Sequence, residues 1–215
     1  MRWQILLAGA AAAWFLFRSL PAALLFVSPG LLRSRETDDD GSLDPAREPA
    51  MERVARALAE LGFEKIGAIE VRPPLSAPSA DLVWASTGKR AFADVAARGG
   101  RISVTFFSPF PGGRAVLTSD FRRPSVAHEG YLAGGLAGID VAELWAVHQR
   151  RVEHFRPPAA PWTDFTAAGR VRAEEAVLLG PGRRDLRRRS AGAAIVALLA
   201  LAVLAVSVLQ LVRLA

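Results

Sequence analysis

The longest uninterrupted apolar run of the chain lies near its C-terminal end. Residues Ala191–Val212 are apolar except for Ser207 and Gln210. As an α-helix these 22 residues would extend about 33 Å, enough to cross a hydrocarbon core of about 30 Å. A core helix of a soluble domain normally carries a polar stripe, and this run has none. The pattern therefore predicts a transmembrane helix over residues 191–213.

A second apolar run, Trp3–Leu32, is interrupted by Arg18 and Pro21. One interpretation is a single tilted, kinked helix that spans the bilayer, with Arg18 snorkelling or facing the C-terminal helix. A second is a re-entrant or interfacial hairpin of Ile5–Phe17 and Leu20–Leu32, since each half is too short to span. A third is a cleaved signal peptide.

The first of these three interpretations is favoured. No small-x-small cleavage site follows Phe17, and cleavage would leave the downstream arginines on the wrong side of the last span. We therefore assign residues 1–35 to a transmembrane or membrane-anchoring segment. An arginine within a membrane segment is a functional candidate by default, but we favour a place for Arg18 near a helix end or in a pair within the protein.

Arginines border both apolar segments on the sides that face the middle of the chain. Arginine beside a membrane span is retained in the cytoplasm, so both ends of the central region are predicted to be cytoplasmic. This places the protein in the inner (cytoplasmic) membrane of a bacterium, a source suggested by abundant alanine and arginine and only two lysines. The predicted boundary residues are Arg33 and Arg35 on one side, and Arg183, Arg184, Arg187, Arg188 and Arg189 in a juxtamembrane segment, 181–190, on the other.

Residues 46–180 follow an acidic linker, 36–45, and are predicted to form a soluble domain. The first element is a helix whose apolar residues recur at steps of three and four, with Pro49 in its first turn and Gly62 at its C-terminal cap. Its predicted buried stripe is Met51, Val54, Ala55, Leu58 and Leu61.

A run of strand patterns follows this helix. Alternation is clearest in Arg101–Phe107, and the intervening Thr87–Arg90 and Gly99-Gly100 segments have hairpin lengths. Short turns between successive strands favour an antiparallel meander. The predicted strands are Glu64–Val71, Asp81–Ser86, Ala91–Ala97, Arg101–Phe107 and Arg114–Ser119.

Two further helices complete the domain. Asp140 is the predicted N-cap of the first, with Glu143 three residues later as in a capping box. The second covers about Asp164–Leu179. The fold class is therefore an α+β domain, in which an antiparallel β-meander of about five strands carries helices on one face, flanked by N- and C-terminal membrane helices.

The net charge of +6 belongs mainly to the membrane boundary. Residues 46–180 hold 17 basic and 15 acidic side chains, so the soluble domain is nearly neutral. Nucleic acid binding needs a basic stripe on the folded surface, and we expect none. The expected partners are the lipid bilayer and an unidentified membrane or cytosolic protein. The chain has no cysteine, which excludes disulfides, thiol nucleophiles and thiolate metal sites.

Candidate catalytic residues are few. Asp120 at the end of the last predicted strand and His128 in the loop after it are an acid and a base that general acid–base chemistry could use. His148 lies in the apolar stripe of its helix, where a core histidine is the favoured interpretation. The four-residue histidine spacing of a helical zinc pair is absent, and so is a phosphate-binding glycine frame. No cofactor or metal is expected.

The amides of Gly134–Gly138, before a capped helix, offer a possible anion site, but a flexible approach to the helix is favoured. Two aromatic residues form a possible interaction surface. Phe107 faces away from the predicted core, and Phe110 lies in a turn. They either dock a protein or the membrane surface, or are covered by the third helix of the domain.

These observations give two functional hypotheses. The favoured one is a non-enzymatic, membrane-tethered module that acts in protein interaction, assembly or regulation. The alternative is a membrane-tethered enzyme or a small-ligand or lipid-binding domain that uses Asp120, His128 and His148.

Overall fold

A computed structural model describes residues 2–38, 48–98, 101–155 and 161–214. Most of the predicted acidic linker and the Gly99-Gly100 turn lie outside the described residues. The chain divides into a helical unit and an α+β unit. The helical unit contains Met1–Leu32, Arg72–Ala77 and Arg184–Ala215, and the α+β unit contains Arg33–Val71 and Pro78–Arg183.

Two long helices dominate the helical unit. Helix α1 spans Arg2–Val27, and helix α5 spans Gly182–Leu214. Both are long and apolar enough to cross a membrane. Helix α1 continues through Pro21, so Ile5–Phe17 and the first eight residues of Leu20–Leu32 belong to one helix, which the hairpin alternative did not expect.

Small residues form the contact between α1 and α5. A Cβ atom placed on Gly9 would lie 3.6 Å from the Cβ atom of Ser207. At the other end, the Arg187 guanidinium donates to the Val27 carbonyl at 3.4 Å, so the helices run antiparallel. Apart from Leu25, Asp185 and Leu186, the buried side chains of the two helices are small, whereas bulky residues such as Phe17 and Leu198 are exposed. This distribution is typical of membrane helices, where small residues let the backbones approach and bulky residues face the lipid.

The α+β unit is built on an eight-stranded sheet with the order β1-β2-β3-β4-β5-β6-β8-β7. The strands are β1 Arg33–Thr37, β2 Glu64–Arg72, β3 Ser79–Ser86, β4 Ala91–Arg98, β5 Arg101–Phe110, β6 Arg114–Ser119, β7 Val126–His128 and β8 Tyr131–Gly135.

The five predicted strands correspond to β2–β6 and pair antiparallel as expected. The prediction of about five strands in a meander was nevertheless too small, because β1, β7 and β8 extend the sheet. Strand β8 runs parallel to β6, with Tyr131 opposite Ala115, so the sheet is mixed. Strands β7 and β8 form a hairpin whose turn contains Gly130 at φ +78°. Such short, glycine-containing strands show no periodicity and depend on pairing with β6.

Three helices pack on this sheet. They are α2 Glu48–Glu60, α3 Val141–Phe155 and α4 Ala167–Leu179. The carboxylate of Asp140 accepts a hydrogen bond from the Glu143 amide at 2.7 Å, as the predicted N-cap of α3 requires. Helix α4 begins later than predicted, because the Thr166 hydroxyl is its N-cap and accepts from the Gly169 amide.

The helices cover both faces of the sheet, which corrects the prediction of one covered face. Helices α2 and α3 pack on the face that carries Trp84 and Phe106. Helix α4 packs on the opposite face, which carries Phe92 and Phe107. Neighbouring residues of one strand point to opposite faces, so the adjacent pair Phe106 and Phe107 requires a cover on each side.

Candidate functional site

The aromatic residues predicted as an interaction surface are buried. Phe107 is 2% exposed and Phe110 is 7% exposed. Phe107 stacks against Phe92, and the guanidinium carbon of Arg170 on α4 lies 4.4 Å from the centre of the Phe107 ring. Phe110 stacks on Phe155 of α3 at a centroid distance of 5.6 Å. The predicted third helix, α4, covers Phe107, whereas Phe110 is covered by α3, and neither ring forms an exposed docking surface.

The three candidate catalytic residues do not form one constellation. His128 lies opposite Tyr131, which in turn lies opposite Ala115 at the start of β6. Asp120 follows the other end of β6, so about 17 Å of strand separates it from the position of His128. Within the described residues, no hydrogen bond joins any two of Asp120, His128 and His148.

The surroundings of Asp120 and His128 differ from the predicted loop. His128 ends strand β7, its ring stacks on Tyr131, and its Nδ1 lies 3.2 Å from the Glu129 carbonyl oxygen. Burial raises the pKa of Asp120, although the positive charge of Arg101 opposes that shift. One carboxylate oxygen of Asp120 is buried and has no hydrogen-bond partner among the described residues. Within the described residues, neither side chain forms a hydrogen bond with a serine or threonine hydroxyl.

His148 is a fully buried core residue, as the favoured interpretation expected. Its Nε2 lies 3.0 Å from the Ser108 hydroxyl, and its Nδ1 lies 3.0 Å from the Thr118 hydroxyl. Both ring nitrogens are therefore hydrogen-bonded between α3 and the sheet. Burial, together with the positive charge of Arg151, lowers the pKa of His148 to about 3. The imidazole is therefore neutral at physiological pH and joins α3 to strands β5 and β6.

Sequence analysis did not single out a buried ion pair on the opposite face. Arg170 of α4 donates to both carboxylate oxygens of Asp94 on β4, with Nη2 2.5 Å from Oδ2, and Nη1 lies 3.2 Å from Glu174. Burial lowers the pKa of Arg170, but the charges of Asp94 and Glu174 outweigh burial and raise it above its ordinary value. A lone carboxylate in an otherwise apolar strand was the available signal for this pair, which joins α4 to the sheet.

Arg151 is a second side chain that sequence analysis missed. It lies one turn after His148 on α3, and its Nη1 donates to the Thr118 hydroxyl at 3.2 Å and to the Gly134 carbonyl at 3.0 Å. Gly134, predicted to belong to a flexible approach to the helix, is part of β8 instead. Burial lowers the pKa of Arg151. Its position three residues from a buried histidine was the only available signal.

The predicted boundary arginines occupy two kinds of position. Arg35 lies in strand β1, and its guanidinium pairs with the Glu70 carboxylate at 2.9 Å, which raises the Arg35 pKa. The arginines of segment 181–190 lie in the first turns of α5, and four of them are exposed: Arg183, Arg184, Arg188 and Arg189. Arg18 is exposed on α1, with its guanidinium 5.8 Å from the centre of the Trp14 ring.

Comparisons with known proteins add no relative to this picture. The chain matches no protein-family model, no curated protein and no solved structure. Among the described residues, no group of three histidine, aspartate or glutamate side chains converges as a metal site. The function is therefore argued from the geometry of this chain.

The buried neutral histidine predicts a specific pH dependence of stability. The native pKa of His148 is about 3, against an ordinary value of 6.5, so below pH 6.5 the unfolded chain binds a proton that the native chain does not. Stability therefore falls as the pH drops through this window, by about 2 kcal/mol between pH 6.5 and pH 5 at about 1.4 kcal/mol per pH unit. Urea unfolding of the detergent-solubilised chain at about pH 7 and pH 5 measures the change.

The matched variant is His148→Gln, which retains hydrogen-bonding groups but does not titrate. We expect its stability to change less with pH than that of the natural protein, by about 2 kcal/mol over the same interval. The change in the free energy of unfolding with pH is compared between the two proteins. The difference cancels the contribution of Asp120, whose raised pKa increases stability as the pH falls. An equal loss of stability in both proteins would contradict a buried neutral His148.

Proposed function

We propose that this chain is a bacterial integral membrane protein of the inner membrane, in which a cytosolic α+β domain acts as a non-enzymatic interaction, assembly or regulatory module. The observation that carries the proposal is the antiparallel pairing of α1 and α5. Most of the side chains buried in the two helices are small, Gly9 lies close to Ser207, and most bulky apolar residues point outward. A soluble protein would leave this apolar surface in water, whereas a bilayer would cover it.

The charge distribution supports the proposed orientation. Arg33 and Arg35 follow the C-terminal end of α1, and five arginines lie in the first turns of α5. The positive-inside rule would keep both of these ends in the cytoplasm and place the N-terminus of α1 and the C-terminus of α5 outside. Both connections of the α+β domain would then start from the same side of the membrane.

The near-neutral charge of the α+β domain by sequence and its attachment at both ends support a binding role. Tethering at both ends would raise the effective concentration of the domain at the membrane, so that even a weak interface with a tethered partner is occupied. The enzyme alternative is not put forward, because Asp120, His128 and His148 are not brought together.

Single cysteines introduced into this cysteine-free chain test the anchoring and the orientation. Thr87→Cys places a thiol in an exposed turn of the α+β domain, and Gln4→Cys places one near the start of α1. In spheroplasts, a membrane-impermeant maleimide should label Gln4→Cys directly and Thr87→Cys only after permeabilisation. Both variants should stay in the membrane pellet after carbonate washing.

Labelling of Thr87→Cys in sealed spheroplasts would place the domain outside and contradict the proposed orientation. Release of the chain by carbonate would contradict the membrane anchor itself. The natural protein has no thiol and is the control for non-specific labelling.

The interaction role is tested by cross-linking and affinity purification of the tagged full chain from native membranes in mild detergent. The proposal predicts a reproducible, near-stoichiometric protein partner. Phe107→Ala should reduce its recovery per molecule of bait, because loss of this buried ring destabilises the domain by about 3–5 kcal/mol. Phe121→Ala is the matched control, since Phe121 is 39% exposed. Recovery of the bait without a partner would contradict the interaction role. If unfolded Phe107→Ala recovers as much partner as the natural protein, the interface lies on the helices and not on the α+β domain.

A further inference from the structure

The guanidinium of Arg151 lies above the end of the sheet where β6, β8 and β7 run side by side. Thr118, Gly134 and Ser125 follow one another across these strands, because Thr118 pairs with Gly134 and Val126 pairs with Ala133. Nη1 of Arg151 donates to the Thr118 hydroxyl and to the Gly134 carbonyl. Both acceptors are neutral, so these bonds fix the position of the guanidinium without balancing its charge.

Arg151 has no acidic partner in the part of the chain that the structure describes. Its hydrogen bonds all come from Nη1, which leaves the Nε–Nη2 edge without a protein acceptor there. The Arg151 side chain is only partly buried, so solvent reaches part of this residue. Burial lowers the Arg151 pKa and no carboxylate opposes it, and His148 beside it is neutral. A partly buried cation in this position gains from an anion.

The missing side chain of Gly134 lets two donors converge on one point. A Cβ atom built on Gly134 would lie 3.0 Å from Nη2 of Arg151, 3.2 Å from its Nη1 and 3.2 Å from the Ser125 hydroxyl oxygen. Ser125 is exposed, and its hydroxyl can rotate to donate. Nη2 and the hydroxyl are thus within reach of a single small oxyanion.

We propose that Arg151 and Ser125 form a binding site for a phosphate group at this end of the sheet. The Nε–Nη2 edge donates two parallel hydrogen bonds to two phosphate oxygens, and the Ser125 hydroxyl donates to a third. The planar guanidinium edge matches the spacing of two oxygens on one phosphorus atom, and the third donor favours a phosphate over a carboxylate. The phosphate belongs either to a soluble phosphorylated compound or to a lipid headgroup, which present the same chemistry. The site does not depend on the proposed membrane anchoring.

The test is a titration of the full chain, labelled with ¹⁵N-arginine and solubilised in detergent, with inorganic phosphate. The Nε–H resonance of Arg151 is assigned by its loss in Arg151→Lys. We expect this resonance to shift saturably with phosphate and not with chloride at the same ionic strength. An equal shift with both salts, or no shift, would overturn the proposal.

Variants separate a specific site from general attraction to arginine. Ser125→Ala should weaken phosphate binding several-fold without affecting folding, because Ser125 is exposed. Gly134→Ala, which places a methyl group between the donors, should weaken binding by about tenfold or more. Arg150→Lys is the matched control, since Arg150 is the exposed neighbour of Arg151 and should leave binding unchanged. If Ser125→Ala and Gly134→Ala both bind phosphate as tightly as the natural protein does, the proposed site is overturned, even if phosphate binds elsewhere.

The source of the phosphate is distinguished in a second arm of the titration. Micelles that contain phosphatidic acid are compared with micelles of phosphatidylcholine and with inorganic phosphate alone. Saturation at lower total phosphate with phosphatidic acid identifies a lipid headgroup, and equal saturation identifies a soluble phosphate. In both cases the Arg151 resonance responds. If it responds neither to inorganic phosphate nor to phosphatidic acid, the result contradicts the site.

Discussion

Adjacent residues of a β-strand point to opposite faces of its sheet, and in β5 both faces carry phenylalanine. Phe106 and Phe107 are each almost fully buried, so strand β5 needs a cover on both sides. Helices α2 and α3 supply one cover and α4 supplies the other. The three-layer arrangement of the domain follows from this requirement, as does the burial of Phe110 beneath α3.

Two-sided burial also determines where the polar groups of the core are found. A fully buried polar residue of each cover bonds to the sheet, His148 of α3 on one face and Arg170 of α4 on the other. The first is satisfied as a neutral ring between two hydroxyls and the second as a cation against Asp94. A buried polar group without a partner would cost about 1–3 kcal/mol, so these contacts favour one position of each helix over its alternatives. Arg151 differs, because part of its hydrogen-bonding capacity is open to solvent.

Elements with strong local signals could be predicted from the sequence, and elements that depend on distant partners could not. Helix α3 was predicted from its Asp140 cap and apolar stripe, and β5 from its alternation. Strands β7 and β8 carry no such pattern. Strand β8 is held by parallel pairing with β6, a contact that the local sequence does not display. The candidate site had the same difficulty. Asp120 and His128 are close in sequence, but the intervening chain turns back along β6 and carries them to opposite ends of that strand.

The two terminal helices combine a sequence signal with a contact that only the structure displays. The length and apolarity of Ala191–Val212 predicted a spanning helix, but the pairing of Gly9 with Ser207 depends on how α1 and α5 meet. No local pattern specifies this contact, since alanine, glycine and serine are spread along both helices. The proposed function therefore depends on the α1–α5 pair. If the two helices do not associate, the proposed double anchor loses its structural basis.

The most direct test of the account is a disulfide cross-link within this pair in native membranes. In the double variant Gly9→Cys with Ser207→Cys, the Cβ atoms would be 3.6 Å apart, within the range of a disulfide. Mild oxidation should therefore join the two helices within one chain, and cleavage in the α+β domain should leave the fragments linked until reduction. The matched pair Gly9→Cys with Val208→Cys, at the exposed neighbour of Ser207, directs one thiol outward and should not cross-link. Absence of the first link, or equal formation of both, would contradict the paired membrane anchor.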